Sequence, residues 1–128
     1  MILSQVEFEN ELINKLTTGD SVGLERLKQH FNNAKLKSRE MTGVGMYLNF
    51  DITPGSVERF KKDVQFGDLY ITGSGFEYGA GVIVFINNGY LDVLECYVHG
   101  DEWPSFYQDI CITYEKEPRF LAELDSAV

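Results

Sequence analysis

Positive charge and cysteine are both scarce in this sequence, and each scarcity excludes something. Lys and Arg number 11 against 20 Asp and Glu, a formal net charge of −9 at pH 7. A phosphate backbone or an anionic membrane rewards excess Lys and Arg, so neither nucleic acid nor membrane is an expected partner. The only cysteines are Cys96 and Cys111. A chain of 128 residues, 44% hydrophobic and 13% aromatic, closes a core without disulfides, so both are expected as reduced, buried thiols. A bridge between neighbouring strands is the alternative. Long apolar runs are also missing. The segment MILSQVEFENEL has neither the basic start nor the unbroken apolar stretch of a signal peptide, and no later run approaches the roughly 20 residues of a membrane span. With no internal repeat, low-complexity segment or linker composition, the expectation is one soluble, cytoplasmic domain over residues 1–128.

The acids that are present are unevenly spread. Residues 1–86 hold 11 acids and 9 bases, whereas residues 87–128 hold 9 acids and only Lys116 and Arg119, a balance of −7. A one-signed region attracts opposite charge and raises encounter rates, so the C-terminal third points to a basic protein as partner.

Hydrophobic periodicity divides the chain in two. Ser4 and Glu7 are spaced as a capping box before a helical stripe of Phe8, Leu12, Ile13 and Leu16, which Thr17-Thr18-Gly19 ends. Asp20 or Ser21 can cap a second helix carrying Leu24, Leu27, Phe31 and Ala34, and the short link predicts a helical hairpin. From Val44 the period is two: Val44, Met46, Leu48, Phe50 and Ile52 alternate with Gly45, Tyr47, Asn49 and Asp51, up to Thr53-Pro54-Gly55. Residues 56–67 fit a helical turn or a strand. Residues 68–72 and 80–86 read as strands around the glycine-rich link of residues 73–79. Asn87-Asn88-Gly89 predicts a tight hairpin between VIVFI and YLDVLECYV, because Asn and Gly accept positive φ. A last strand is expected near residues 110–114, and residues 118–124 form a short helix or a packed tail. The fold class is α+β: an N-terminal helical hairpin packed on a mostly antiparallel sheet of four to six strands.

The run LECYVHGDEWPSF, residues 94–106, collects the chemistry-bearing side chains, and none of the usual chemistries fits it. CYVHGDE has no recognised zinc spacing and HGDE lacks the spaced acids of a calcium loop, so no metal is expected. Cys96 and His99 fall on opposite faces of one strand, which disfavours a dyad, though Cys111 with His99 stays open. No G-x-S-x-G elbow occurs. The glycines of GSGFEYGAG lead into a strand rather than a helix N-terminus, and no Lys lies between Lys62 and Lys116, so no phosphate cradle and no cofactor are expected.

Strand alternation places Leu94, Cys96 and Val98 on one face and Leu91, Val93, Glu95, Tyr97 and His99 on the other. Two helices suffice for one sheet face. The second either is covered by the 56–67 stretch and the C-terminal tail or stays open as an aromatic and charged platform of the kind found in interfaces. The segments REMTGVGMYLNF (residues 39–50) and GAGVIVFINNGYLDVLECYVHGDEWP (residues 79–104) resemble blocks in small bacterial proteins of unassigned function. In size and acidity the chain resembles the immunity proteins that neutralise bacterial toxins by binding. That resemblance implies a role and carries no residue with it.

The expectation is a non-enzymatic, immunity-like module with no catalytic residue, which presents Glu95, Tyr97, His99, Asp101, Glu102 and Trp103 to a basic toxin, such as a nuclease with a cationic cleft. The acids would steer and the aromatics anchor. Two rival readings are a small enzyme or ligand-binding domain with a pocket near His99, and a homodimer subunit. In the latter, Arg26, Lys28, Lys35, Lys37 and Arg39 would meet the acidic third of another copy.

Overall fold

The structure, a computed structural model, describes residues 1–100 and 102–128. These form three helices and eight strands: β1 (Ile2–Leu3), α1 (Gln5–Thr17), α2 (Val22–Asn33), β2 (Lys35–Met41), β3 (Gly45–Asp51), β4 (Val64–Phe66), β5 (Leu69–Ser74), β6 (Ala80–Asn87), β7 (Tyr90–Val98), β8 (Tyr107–Tyr114) and α3 (Ala122–Ser126). All strand pairs are antiparallel, in the order β1-β8-β5-β6-β7-β3-β2, with β4 on the same edge of β6 as β5. The class is α+β as expected, but the sheet has eight strands rather than four to six. The additional strands lack an apolar alternation to betray them. β1 is two residues long, β4 three, and β2, KLKSREM, is an edge strand with most of its residues exposed.

Local signals fix the helix starts. Ser4 Oγ accepts the Glu7 N–H while the Glu7 carboxylate accepts the Ser4 N–H, a complete capping box, and Ser21 rather than Asp20 caps α2 by accepting the Leu24 N–H. Phe8, Leu12, Leu16, Leu24 and Leu27 are fully buried against one sheet face, where they meet Met46, Leu48, Ile71, Val84, Leu94 and Cys96. Each such side chain contributes about 1.5–3 kcal/mol through removal from water. The hairpin at Asn88-Gly89 forms with φ of 55° and 82°, and Asn87 pairs with Tyr90 across it.

One strand departs from strict alternation. The register between β6 and β7 shifts, so that Phe85 faces Val93 but Ile86 faces Leu91, leaving Asp92 as the extra residue of a bulge. Leu91 therefore turns inward and is buried with Leu94 and Cys96, not outward with Val93 as alternation predicts.

The two segments that could have covered the other face do not lie on it. In the 56–67 stretch, Phe60 packs edge-on against His30 of α2 with centroids 5.0 Å apart, and Glu58 pairs with Arg26. In the tail, Asp125 accepts the Gly23 N–H at the start of α2, and the Lys61 N–H donates to the Ala127 carbonyl. Arg119 reaches the carbonyls of Leu16 and Thr18 at the end of α1 and binds Asp68 through two nitrogens, at 2.6 and 2.8 Å. Residues 56–63 and the tail close the helical side, residues 64–66 extend the sheet as β4, and the opposite face keeps partly exposed side chains.

Candidate functional site

The stretch LECYVHGDEWPSF divides between core and surface within a few residues. Cys96 points inward and is buried, and that burial pushes its thiol above the ordinary range. Glu95 and Tyr97 point to the opposite face and stay partly exposed. His99 is exposed and its ring lies against Tyr70 and Tyr97, at centroid distances of 6.2 and 5.6 Å. Glu102 is exposed, and Asp101 lies outside the described residues.

Trp103 corrects an expectation. It is only 8% exposed, with its ring 5.0 Å from Phe76 and 6.0 Å from Phe8, so it cannot serve as a surface anchor. Its Nε1–H donates to the Tyr107 hydroxyl (3.0 Å), which donates to Gln5 Oε1 (2.6 Å). Gln5 Nε2 donates to Glu9 (2.7 Å), and the Arg39 guanidinium grips the same carboxylate through two nitrogens at 2.5 and 2.8 Å. One polar chain thus ties the loop after β7 to α1 and to the edge strand β2. No buried side-chain nitrogen or oxygen among the described residues lacks a partner.

The open face is ordered into cross-strand rows. Glu40, Tyr47, Glu95 and Ile83 face one another across β2, β3, β7 and β6; Ser38, Asn49, Val93, Phe85 and Gln65 form the next row. On the other side of the first row come Gly45, Tyr97, Gly81, Tyr70 and Thr113. The Tyr97 ring lies over Gly81, where a Cβ would come within 2.6 Å of its hydroxyl. The field here is negative. The facing Glu95 carboxylate holds the Tyr47 phenol above its ordinary pKa; Tyr97 is raised first by burial and then by Glu115 and Glu95. Among the eight strands only β2 bears Lys or Arg, and no Lys or Arg lies between Lys62 and Lys116. On β2, Lys35 faces Asp51 and Arg39 is held by Glu9.

No family model, curated protein or solved structure matches the chain. What the molecule can do is therefore read from its own surface. Glu95, Tyr97 and His99 come together on the open face, joined there by Glu40, Tyr47, Asn49, Phe85 and Val93. Alternation in β3 already pointed Tyr47 and Asn49 away from Met46, Leu48 and Phe50, so those two were legible. Glu40 was not, because β2 carries no periodic signal.

The other candidates lead elsewhere. Cys111 is exposed rather than buried: it faces Thr72 on the side of the sheet that the helices leave open, one pair along from Tyr70 and Thr113. β6 and β5 stand between Cys96 on β7 and Cys111 on β8, some three strand spacings or about 14 Å, which forbids a disulfide. His30 is structural. Its Nε2–H donates to the Glu58 carbonyl (2.7 Å), its Nδ1 accepts the Leu91 N–H (3.2 Å), and burial lowers its pKa. Among the described residues no three of His, Cys, Asp and Glu are grouped to hold a metal ion, and no helix is long and apolar enough to cross a membrane. The glycine-rich link runs from β5 into β6 with positive φ at Gly75 and Gly79, and its Phe76 inserts into the core. Beside it lies a cavity of about 400 Å³ lined by Phe76, Glu77, Tyr78, Val98 and Glu102, to which His99 does not contribute.

Among the described residues, the acids of the C-terminal third do not gather into a single patch. Glu102 precedes β8 and Glu115 follows it, so about 23 Å of strand separates them. Asp92 accepts from Asn87, Asp109 approaches the N-terminal amine, and Asp125 caps α2. Of this group, Glu95 stands at the centre of the open face, and Glu115 bears on it from one side.

Proposed function

We propose that this protein is a non-enzymatic binding module of immunity type, which uses the open face of its sheet to neutralise a basic protein such as a nuclease toxin. The observation that carries the reading is the composition of that face. Tyr47, Phe85, Val93 and Tyr97 offer rigid, partly exposed apolar area, Glu40 and Glu95 stand among them, and the central strands bear no Lys or Arg to oppose a cationic partner. Aromatic area supplies contact at low entropic cost, while a one-signed field speeds encounter and selects partners. Glu95, Tyr97 and His99 are the contacts, with Tyr47 and Phe85 as anchors in place of Trp103.

The test is capture of partners from host lysate by the tagged full-length protein, beside its Glu95→Lys variant, at low and high salt. A basic protein held by the wild type, weakened at high salt and lost with Glu95→Lys, supports the reading. Equal capture by both forms overturns it. A second reading, a small-ligand domain, is favoured by the cavity between the glycine-rich link and the end of β7, with Glu77 and Glu102 at its wall. A Val98→Trp variant would fill that cavity and leave partner capture intact if the first reading holds.

A further inference from the structure

The open face contains a depression of about 280 Å³ lined by Glu40, Tyr47, Asn49, Phe85, Asn87 and Val93. We propose that it is a slot for an arginine side chain of the basic partner. This rests on the reading of the open face as the partner-binding surface and names the group that surface recognises.

Tyr47 on β3 and Phe85 on β6 lie diagonally across the open face, about 9.5 Å apart across the strands and about 7 Å along them, with Val93 of β7 between them as an apolar floor. A planar cation entering between two aromatic side chains gains from their π faces, and guanidinium, being flat and weakly hydrated, gains more than ammonium. Of the carboxylates, Glu40 lines the depression and Glu95 stands beside it. Glu40 and Glu95 face Tyr47 from the strands on either side. Asn49 Nδ2 donates to Glu40 Oε1 (3.0 Å) and to Ser38 Oγ (3.0 Å), which holds the Glu40 carboxylate over the slot. Neither Glu40 nor Glu95 is in an ion pair among the described residues. An aliphatic stem on Val93 with a charged head at carboxylates that have no cationic partner among the described residues is the arrangement a long cationic side chain adopts on an amphipathic surface.

The test uses the intact protein, labelled with nitrogen-15, and the blocked pentapeptide Gly-Gly-Arg-Gly-Gly, followed by amide chemical shifts. Peptides with citrulline or Lys in place of Arg serve as controls. Citrulline keeps the shape and loses the charge, whereas Lys keeps the charge and loses the plane. The expected result is saturable shifts at Tyr47, Asn49, Val93 and Glu95 with Arg, binding roughly five- to tenfold weaker with either control, and loss of the shifts in Glu40→Gln/Glu95→Gln. Shifts absent from these residues, citrulline or Lys binding as well as Arg, or shifts unchanged in the double variant would each overturn the slot. Capture of the partner separates this from the wider reading. Binding lost with Glu95→Lys but kept with Tyr47→Ala would sink the slot alone; binding kept with both would sink both.

Discussion

The two faces of the sheet are made by the same strands and solve opposite problems. On the covered face Met46, Leu48, Val84, Leu94 and Cys96 are excluded from water by α1 and α2, and the buried polar side chains, Glu9, Thr17 and His30, are partnered. On the open face, Tyr47, Phe85, Val93 and Tyr97 remain partly wet and Glu95 has no ion-pair partner among the described residues. The covered face holds the fold and tolerates little change; the open face has area and charge to spare. That difference is what a binding module needs, since contacts for a partner must not be those that hold the chain together.

The contrast can be broken most strongly at Trp103, which the sequence assigns to the surface and the fold assigns to the core. Trp103→Ala removes a ring packed on Phe8 and Phe76 and should cost about 3–5 kcal/mol, read from the urea midpoint. Tyr97→Ala on the open face should cost clearly less. Next comes the polar chain at the rim of the core. Arg39→Met leaves the buried Glu9 carboxylate with Gln5 alone and should cost about 1–3 kcal/mol in the same assay, whereas Lys37→Met on the same strand should change stability by less than about 0.5 kcal/mol.

A third difference is one of pH. Because burial holds His30 below its ordinary value of 6.5, the unfolded chain binds the extra proton first as pH falls. Stability from this group is complete above pH 6.5 and declines as pH drops below it toward the lowered folded value. Thermal midpoints of wild type and His30→Gln between pH 7.5 and 5 should therefore converge at the acid end. The smallest effect belongs to the open face. Glu95→Gln should leave the denaturation midpoint within about 0.5 kcal/mol of wild type, yet return the Tyr47 phenol toward its ordinary pKa in a near-ultraviolet titration. An unmoved phenol would mean that Glu95 does not set the field there.

Much of this layout was legible because its causes are local. The Ser4 and Glu7 pair, the Asn88-Gly89 turn, the alternation of β3 and most of β7 each depend on side chains within a few residues of one another. β2 was hidden because an edge strand need not alternate, and with it went Glu40 and half of the arginine slot. Leu91 was misplaced because a bulge costs only one residue, Asp92, and leaves no distinct composition behind. Cys111 is exposed where a buried thiol is expected, because the pattern of a strand gives its two faces but not which of them is covered.

The sequence by itself determined the α+β class, the helix starts, the hairpin and the poverty of basic charge along the strands, since these follow from period, capping chemistry and count. Tertiary structure alone decided which face of the sheet stays open, that Trp103 turns inward, and that the C-terminal acids disperse while Glu95 stays central. Those outcomes depend on where α1, the 56–67 stretch and the tail dock. Docking is set by contacts between residues far apart in the chain, such as Trp103 with Phe8 or Arg119 with Leu16, which no local pattern encodes.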